Sequence, residues 1–365
     1  MEKSLGQHPL VRRVEDFLAR QLTCGDSILV GVSGGPDSVA LARILGGLAP
    51  RLGLDMALAH VNHGYRGKAA HRDEAFTREL ARELGLAFHV HGVDVAALAR
   101  EKRMSIEETG RQVRYDFFNT LVARDGYTHI ATGHNRDDNA EQVLMNLLRG
   151  AGTRGLAGIP PVQENLCFCP IIRPLIRTAK ADILSFLEGI DQAYMEDATN
   201  ADPAFRRNAL RHQLIPLLEE KYNPKIKQAL DRLSRIMARE DEFLAREAQA
   251  GLDACLREEG PEMISLSLGN LSCYHGALIP RILRLALCRI KSDLRRIHHG
   301  HLEDIKDLME RAEPGKHLDL PGRIRIHKDR RRLTLRREQL PLRELGRREK
   351  GRKTLDKKGQ TPRET

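Results

Sequence analysis

The sequence predicts an α/β protein built on a doubly wound parallel sheet, with a smaller, mainly helical C-terminal domain. Three observations predict it. Short apolar runs alternate with amphipathic helical patterns through the first half of the chain, as βαβ units require. A Gly-Gly-Pro turn joins the first of these runs to a helical pattern, Ser33 to Ser38. Polar residues suited to chemistry fall at the C-terminal ends of the runs, where open parallel sheets bind ligands.

In chain order, residues 9–22 read as an amphipathic helix, with Leu10, Val11, Val14, Phe17, Leu18 and Leu22 on one face. Residues 27–32 form the first strand, followed by Ser33-Gly34-Gly35-Pro36-Asp37-Ser38 and the helical pattern 39–45. Strand, glycine turn and helix start make an anion cradle. Two glycines let backbone N–H groups turn inward, and the helix N-terminus adds about half a positive charge. Ser33 and Ser38 can donate from their hydroxyls, and Asp37 can hold a cation against phosphates, so the expected ligand is a pyrophosphate. The Walker A string GxxxxGK[ST] does not occur.

A second strand over 56–61 runs into Asn62-His63-Gly64, and a helix is predicted over 69–84, a strand over 86–91 and a helix over 107–124. A fourth strand, 128–132, leads into Gly133-His134-Asn135 and a helix over 137–149. His134, Asp138 and Glu141 are spaced i, i+4, i+7, so a helix beginning near His134 stacks them on one face pointing back to the glycine loop. Acidic residues also simply suit a helix N-terminus, but that does not account for His134 at a strand end.

The Gly- and Pro-rich stretch 150–161 is expected as a loop over the site, 179–189 as a helix and 205–218 as a basic helical segment. Residues 224–258 read as a long, charged helix pair, and 261–335 as a smaller domain with a helix at 278–291. The organisation expected is therefore a catalytic domain over 1–218, a second domain over 219–335 with long linking helices, and a tail over 336–365. That tail has eleven Lys/Arg against five Asp/Glu, a composition that predicts disorder or a flexible RNA-binding arm.

The 365 residues carry a net charge of +10, which favours a polyanionic partner. The 4% aromatic content and absence of tryptophan argue against a base-stacking platform, so RNA would be held mostly through phosphates and shape. No run of about 18 apolar residues predicts a membrane span, and the first residues show no apolar signal segment. The six cysteines form no CxxC, consistent with a reduced, cytoplasmic protein. His60, His63 and His71 lack the further ligands of a zinc site, and His298-His299-x-His301 reads as a solvated turn.

The loop resembles SGGxDS, the signature of ATP pyrophosphatases. Further segments extend the likeness: HVNHGYRG (60–67), ATGHNRDDNAEQVLMNLLRGAGTRGLAGIPP (131–161), IRPLI (172–176) and EDATNADPAFRRNALRHQLIPLL (196–218). On these the chain resembles the bacterial tRNA(Ile)-lysidine synthases, most specifically in RGxGxxGLxGI and in DxTN followed by RNxxRxxxxPxL. The resemblance is strong over 25–220 and weaker to about 335.

It implies an adenine nucleotide alpha hydrolase-like fold and a ligase using ATP, Mg²⁺ and L-lysine. ATP adenylates C2 of the wobble cytidine in tRNA(Ile) with a CAU anticodon. The ε-amine of lysine then displaces AMP to give lysidine. On this chemistry the 33–38 loop, with Mg²⁺ on Asp37, neutralises the leaving pyrophosphate. Asp138 and Glu141 bind lysine and take its proton, with the division between them open. His134 contacts phosphates or the activated base, and Arg207 and Arg211 bind a phosphate oxygen or the tRNA backbone. No membrane partner is implied, and a homodimer is compatible. Asn135 stands where many relatives carry another His or a similar polar residue. Larger relatives carry a further tRNA-recognition domain after the LDLPG region, where this chain passes into its charged tail. A 2-thiocytidine-type thiolase is the competing enzyme reading, and it asks for a cysteine set that only Cys167 and Cys169 resemble. An ATP-binding or RNA-binding module is the non-enzymatic one, and it needs neither the His134 face nor Arg207.

Overall fold

In a computed structural model the chain divides into two units, Met1–Ala238 and Arg239–Thr365. The structure describes residues 8–64, 68–164, 166–195, 206–291, 294 and 296–339. Parts of two sequence motifs, 65–67 and 196–205, lie outside the described residues, as does the tail from 340 onward.

The first unit opens with α1 (Pro9–Leu18), β1 (Ser27–Gly31), α2 (Pro36–Leu52), β2 (Asp55–Asn62), α3 (Lys68–Leu84) and β3 (Ala87–Gly92). Then follow α4 (Val95–Lys102), α5 (Ile106–Asp125), β4 (His129–Thr132), α6 (Arg136–Leu148), the single turn α7 (Thr153–Leu156), β5 (Val162–Gln163) and β6 (Ile171–Ile172). The unit continues with α8 (Lys180–Gly189), α9 (Arg206–Ala209), a π-helical turn Leu210–Leu214, α10 (Ile215–Lys221) and the start of α11 (Ile226–Cys255).

The six strands lie in the order β3-β2-β1-β4-β6-β5. All pairings are parallel except β5 with β6. This is the doubly wound sheet that the alternation predicts. β1 is buried on both faces, as a central parallel strand must be. Ile28 and Val30 pack with Leu10, Val39, Leu41 and Phe186, while Leu29 packs on the other face with Phe118, Leu121 and Ile130. From β1 the chain winds outward through β2 and β3 on one side and then crosses back to β4 on the other side of β1. The loops after β1 and β4 therefore meet at the switch point of the sheet.

Two local readings change. The sequence shows no helix between 92 and 106, yet α4 forms there, capped by Asp94, which accepts from Ala97 N at 2.9 Å. The expected helix pair over 224–258 is one 30-residue helix, α11, followed by β7. No proline interrupts it, and its glycine, Gly251, comes only near the end.

The second unit combines the expected helices with a small antiparallel sheet. β7 (Leu256–Gly260) and β8 (Met263–Ser267) precede α12 (Leu268–Ser272), α13 (Ile279–Lys291) and α14 (His299–Arg311), and β9 (His317–Leu320), β10 (Ile324–Lys328) and β11 (Arg332–Arg337) close it. The order is β7-β8-β11-β10-β9. Ile264, Leu266, Ile324, Ile326, Leu333 and Leu335 alternate inward and meet Ile282, Leu283, Leu287 and Ile305. Buried Lys328 donates from Nζ to the carbonyls of Met309 (2.7 Å) and Ala312 (2.6 Å), closing the last turn of α14.

Candidate functional site

The glycine loop is shaped from within. Gly34 has φ 91°, in the left-handed region that favours glycine. Ser38 Oγ donates to Gly35 O at 2.9 Å and accepts from Ser33 N at 3.1 Å, and Ser33 Oγ accepts from Gly35 N at 3.4 Å. Pro36 opens α2, where a missing N–H costs nothing. His60, buried at the end of β2, donates from Nδ1 to Val32 O at 2.8 Å and steadies the strand end that feeds the loop.

Gly133 lets the loop after β4 approach the first turn of α2. A Cβ there would stand 3.0 Å from Asp37 C, Asp37 O and Ser38 N, backbone atoms that would have to shift by a few tenths of an ångström to admit it. Asn135, 3% exposed, is the N-cap of α6. Its Oδ1 accepts from Asp137 N (2.8 Å) and Asp138 N (3.1 Å), while Asp138 Oδ2 accepts from Asn135 N (3.0 Å). The helix thus starts after Asn135, and His134 stays on the strand side of the cap.

Asp37 is where three helix N-termini converge. Asn135 Nδ2, from the cap of α6, donates to Asp37 Oδ1 at 2.9 Å. Lys180 Nζ, from the first residue of α8, donates to Asp37 Oδ2 at 2.7 Å. Arg136 N donates to Thr178 O at 2.9 Å and ties α6 to the entry of α8. Burial pushes the pKa of Asp37 up, with the nearby Asp138 charge adding to it, against the pull of Lys180. Among the described residues no group of three or more His, Cys, Asp or Glu converges as a metal site. Asp37 alone fits Mg²⁺, which takes one or two carboxylates and completes its shell with phosphate oxygens and water. The fit requires Oδ2, whose partner is a flexible lysine.

Next to this point lies a closed set of four charges. Arg207 Nε donates to Glu141 Oε2 at 2.7 Å, and its Nη2 to Asp138 Oδ1 at 3.1 Å. Arg211 Nε donates to Glu141 Oε1 at 2.6 Å, and its Nη2 to Asp138 Oδ1 at 3.2 Å. The Glu141 side chain is 2% exposed. Burial works against both guanidiniums, and the two carboxylates outweigh it, leaving both arginine pKa values raised. Arg211 lies on the π-helical turn, four residues beyond Arg207.

His134 accepts from or donates to Thr132 Oγ1 through Nδ1 at 3.0 Å. Burial, with Arg173, Arg207 and Arg114 nearby, lowers its pKa to about 4 against the pull of Asp138, so the ring is neutral at pH 7. The structure brings Asp37, His134, Asp138, Glu141, Arg207 and Arg211 into one neighbourhood.

Three cations here escaped the sequence reading. Lys180 is the first. Arg173, 1% exposed, donates to Pro160 O (2.8 Å) and Gln163 Oε1 (2.7 Å), and its Nε has no partner. Arg114 makes no ion pair among the described residues, and burial lowers its pKa. The signal for Arg173 was its place inside the apolar IRPLI segment. Arg114 and Lys180 carried none, being ordinary charges on helices.

The stretch 150–161, expected over the site, is fastened along α6. Asn139 Oδ1 accepts from Ile159 N at 2.8 Å, and Asn146 Nδ2 donates to Gly155 O at 2.7 Å. Burial pushes the thiols of Cys167 and Cys169 up to about 11, which opposes the thiolate form that cluster ligation needs.

The chain matches the family described as PP-loop domain over residues 7–218. It is 33% identical over 330 residues to the tRNA(Ile)-lysidine synthase of Caldanaerobacter subterraneus subsp. tengcongensis, covering 90% of this chain and 69% of that one. The protein of that name from Chlorobaculum tepidum is 42% identical over 235 residues, or 63% of this chain and 70% of the relative. Among solved structures, the U34-tRNA thiolase NcsA of Methanococcus maripaludis superposes with a TM-score of 0.52 at 21% identity, over 63% of this chain and 78% of that one, which shows the shared fold.

Two outcomes follow from the geometry. Gly133→Ala is expected to push the first turn of α2 aside, lowering stability by about 1–3 kcal/mol and weakening ATP binding, as urea denaturation and calorimetric titration would register. His134 is held neutral, so the unfolded chain takes up its proton first as pH falls. Stability is complete above about pH 6.5 and drops toward pH 4, by at most roughly 3 kcal/mol. In His134→Gln, urea midpoints across that range should lose this component of the slope.

Proposed function

This chain belongs to the PP-loop domain family and, within it, to the tRNA(Ile)-lysidine synthases, and we propose on that premise how its site works. The reaction is ATP-dependent conversion of the wobble cytidine of CAU-bearing tRNA(Ile) to lysidine. The observation that carries the reading is the glycine loop at the switch point of the sheet, with the Asp138–Glu141–Arg207–Arg211 set beside it.

The backbone N–H groups of Gly34, Gly35, Asp37 and Ser38, with the N-terminus of α2, face the β- and γ-phosphates. The cytosine O2 attacks the α-phosphorus in line, the bond to the bridging oxygen breaks, and pyrophosphate leaves with the electron pair. A Mg²⁺ held by Asp37 and phosphate oxygens would supply charge neutralisation to that leaving group. Neutral His134 can donate or accept one hydrogen bond at the phosphates or the activated base without adding charge. Uncompensated Arg114 supplies a positive field toward the same space.

The second step needs an unprotonated amine, and a free lysine ammonium has a pKa of about 10.4. Asp138 and Glu141 bind the ammonium and accept or relay its proton. Arg207 and Arg211, already paired with them, turn to a carboxylate or to an α-phosphate oxygen in bidentate fashion. The ε-nitrogen bonds to C2, the C2–O bond breaks, and AMP departs. We assign this chemistry to residues 1–218, and phosphate-backbone contacts with the tRNA to residues 219–335 and the basic residues 336–365, in keeping with the +10 charge.

Nucleoside mass spectrometry after incubating CAU-bearing tRNA(Ile) with ATP, Mg²⁺ and lysine should show lysidine; unmodified cytidine under these conditions contradicts the reading. In Asp138→Asn, adenylated tRNA should accumulate while lysine transfer slows at least about tenfold. Loss of adenylation itself would move Asp138 to the phosphate step.

A further inference from the structure

We propose that Lys180 is a further catalytic residue of the adenylation step. Its ammonium rests on Asp37 in the nucleotide-free chain and passes to the departing pyrophosphate when a divalent cation takes the carboxylate. The inference rests on the proposed function and deepens it.

The two oxygens of Asp37 are held in different ways. Oδ1 accepts from Asn135, whose own amide is locked by the reciprocal cap of α6. Oδ2 accepts from Lys180 Nζ at 2.7 Å, at the end of a four-carbon stem. An ammonium is a compact charge on a flexible chain, and a dication would lie about 2.0–2.1 Å from the same oxygen, in the same place. Like charges repel strongly at that separation, and of the partners of Asp37 the one on a flexible stem, the lysine, gives way.

Displacement does not send Lys180 far. Its backbone is fixed at the first position of α8, a 10-residue helix, where its N–H points to Asp137 Oδ1 at 3.4 Å. The N-cap, Ala179, offers no side-chain acceptor, so the N–H groups of this turn add to the positive field at the site. An ammonium has three donors, and the described residues occupy one of them, on Asp37. The freed donors would remain within reach of phosphate oxygens held at the same carboxylate. As the α-phosphorus takes the cytosine oxygen and the bond to the β-phosphate breaks, negative charge grows on the pyrophosphate oxygens, and Lys180 meets it there. In the resting chain the same ammonium keeps the half-buried carboxylate of Asp37 from standing uncompensated.

A purely structural salt bridge between α2 and α8 makes the opposing prediction, so the test separates affinities of opposite sign. The probes are Mn²⁺ alone, followed by the free-ion paramagnetic resonance signal, and inorganic pyrophosphate with Mg²⁺, followed by calorimetry. In full-length Lys180→Met, Mn²⁺ should bind several-fold more tightly, because the competing ammonium is gone. Pyrophosphate should bind roughly 10- to 100-fold more weakly, the value of a charge-assisted hydrogen bond. Lys180→Arg should restore most of the pyrophosphate affinity. Pyrophosphate affinity within twofold of wild type in Lys180→Met, or a parallel weakening of both ligands with a lowered melting temperature, overturns the proposal. A wild-type chain that binds pyrophosphate yet makes no lysidine overturns the reading of the reaction, while the cation's role at the loop is judged on the affinities alone.

Discussion

The site depends on one close approach: the first turn of α2 lies against the end of β4 with no side chain between them. Parallel pairing sets Gly31 beside Thr132, so the chain leaves both strands at the same level of the sheet. Gly133 then lets the backbone of Asp37 and Ser38 come within van der Waals limits of the second loop. From that contact the rest follows. Asn135 can cap α6 and still reach Asp37, and α6 can present Asp138 and Glu141 beside the phosphate cradle rather than away from it. Without the approach, the glycine loop would be a helix start with no partner chemistry.

The electrostatics divide into a balanced half and an unbalanced half. Asp138, Glu141, Arg207 and Arg211 neutralise one another, two negative and two positive charges joined by bidentate geometry. Glu141 is the buried member, and it is tolerated there because both guanidiniums pair with it from the half-exposed side of the set. Arg114 and Arg173 have no carboxylate partners among the described residues, and burial depresses both. Arg173 is held instead by Pro160 O and Gln163 Oε1, and half-buried Arg114 makes no ion pair among the described residues, so this half carries net positive charge. The +10 charge repeats this bias at the scale of the whole chain.

Much of this was legible in the sequence, for definite reasons. Strand, glycine loop and the first turn of the helix all fall between Ser27 and Val39, so their geometry is local and their letters sufficient. The same holds for Thr132 to Glu141, although Asn135 is the N-cap and the helix starts at Arg136, two residues past His134. Arg207 and Arg211 were found through a motif, but their salt bridges to α6 span 66–73 residues of sequence and have no local mark. Lys180 is the extreme case, 143 residues from the carboxylate it holds. The second unit's sheet was hidden for another reason. Its strands are four to six residues long and alternate isoleucine or leucine with arginine and histidine, a pattern too short to separate from loop until pairing is seen. The long helix α11 was divided in the reading because its charged composition resembled two surface helices, while no breaker residue required a turn.

The central claim is that backbone amides at the glycine bend grip the β,γ end of ATP at the meeting of the β1 and β4 loops. A crystal structure of the chain with a non-hydrolysable ATP analogue and Mg²⁺ tests it most directly. The account requires the β- and γ-phosphates on the N–H groups of Gly34, Gly35, Asp37 and Ser38, with Asp37 at the metal and the α-phosphate facing His134. A nucleotide bound elsewhere, with the bend empty or closed by its neighbours, would contradict it.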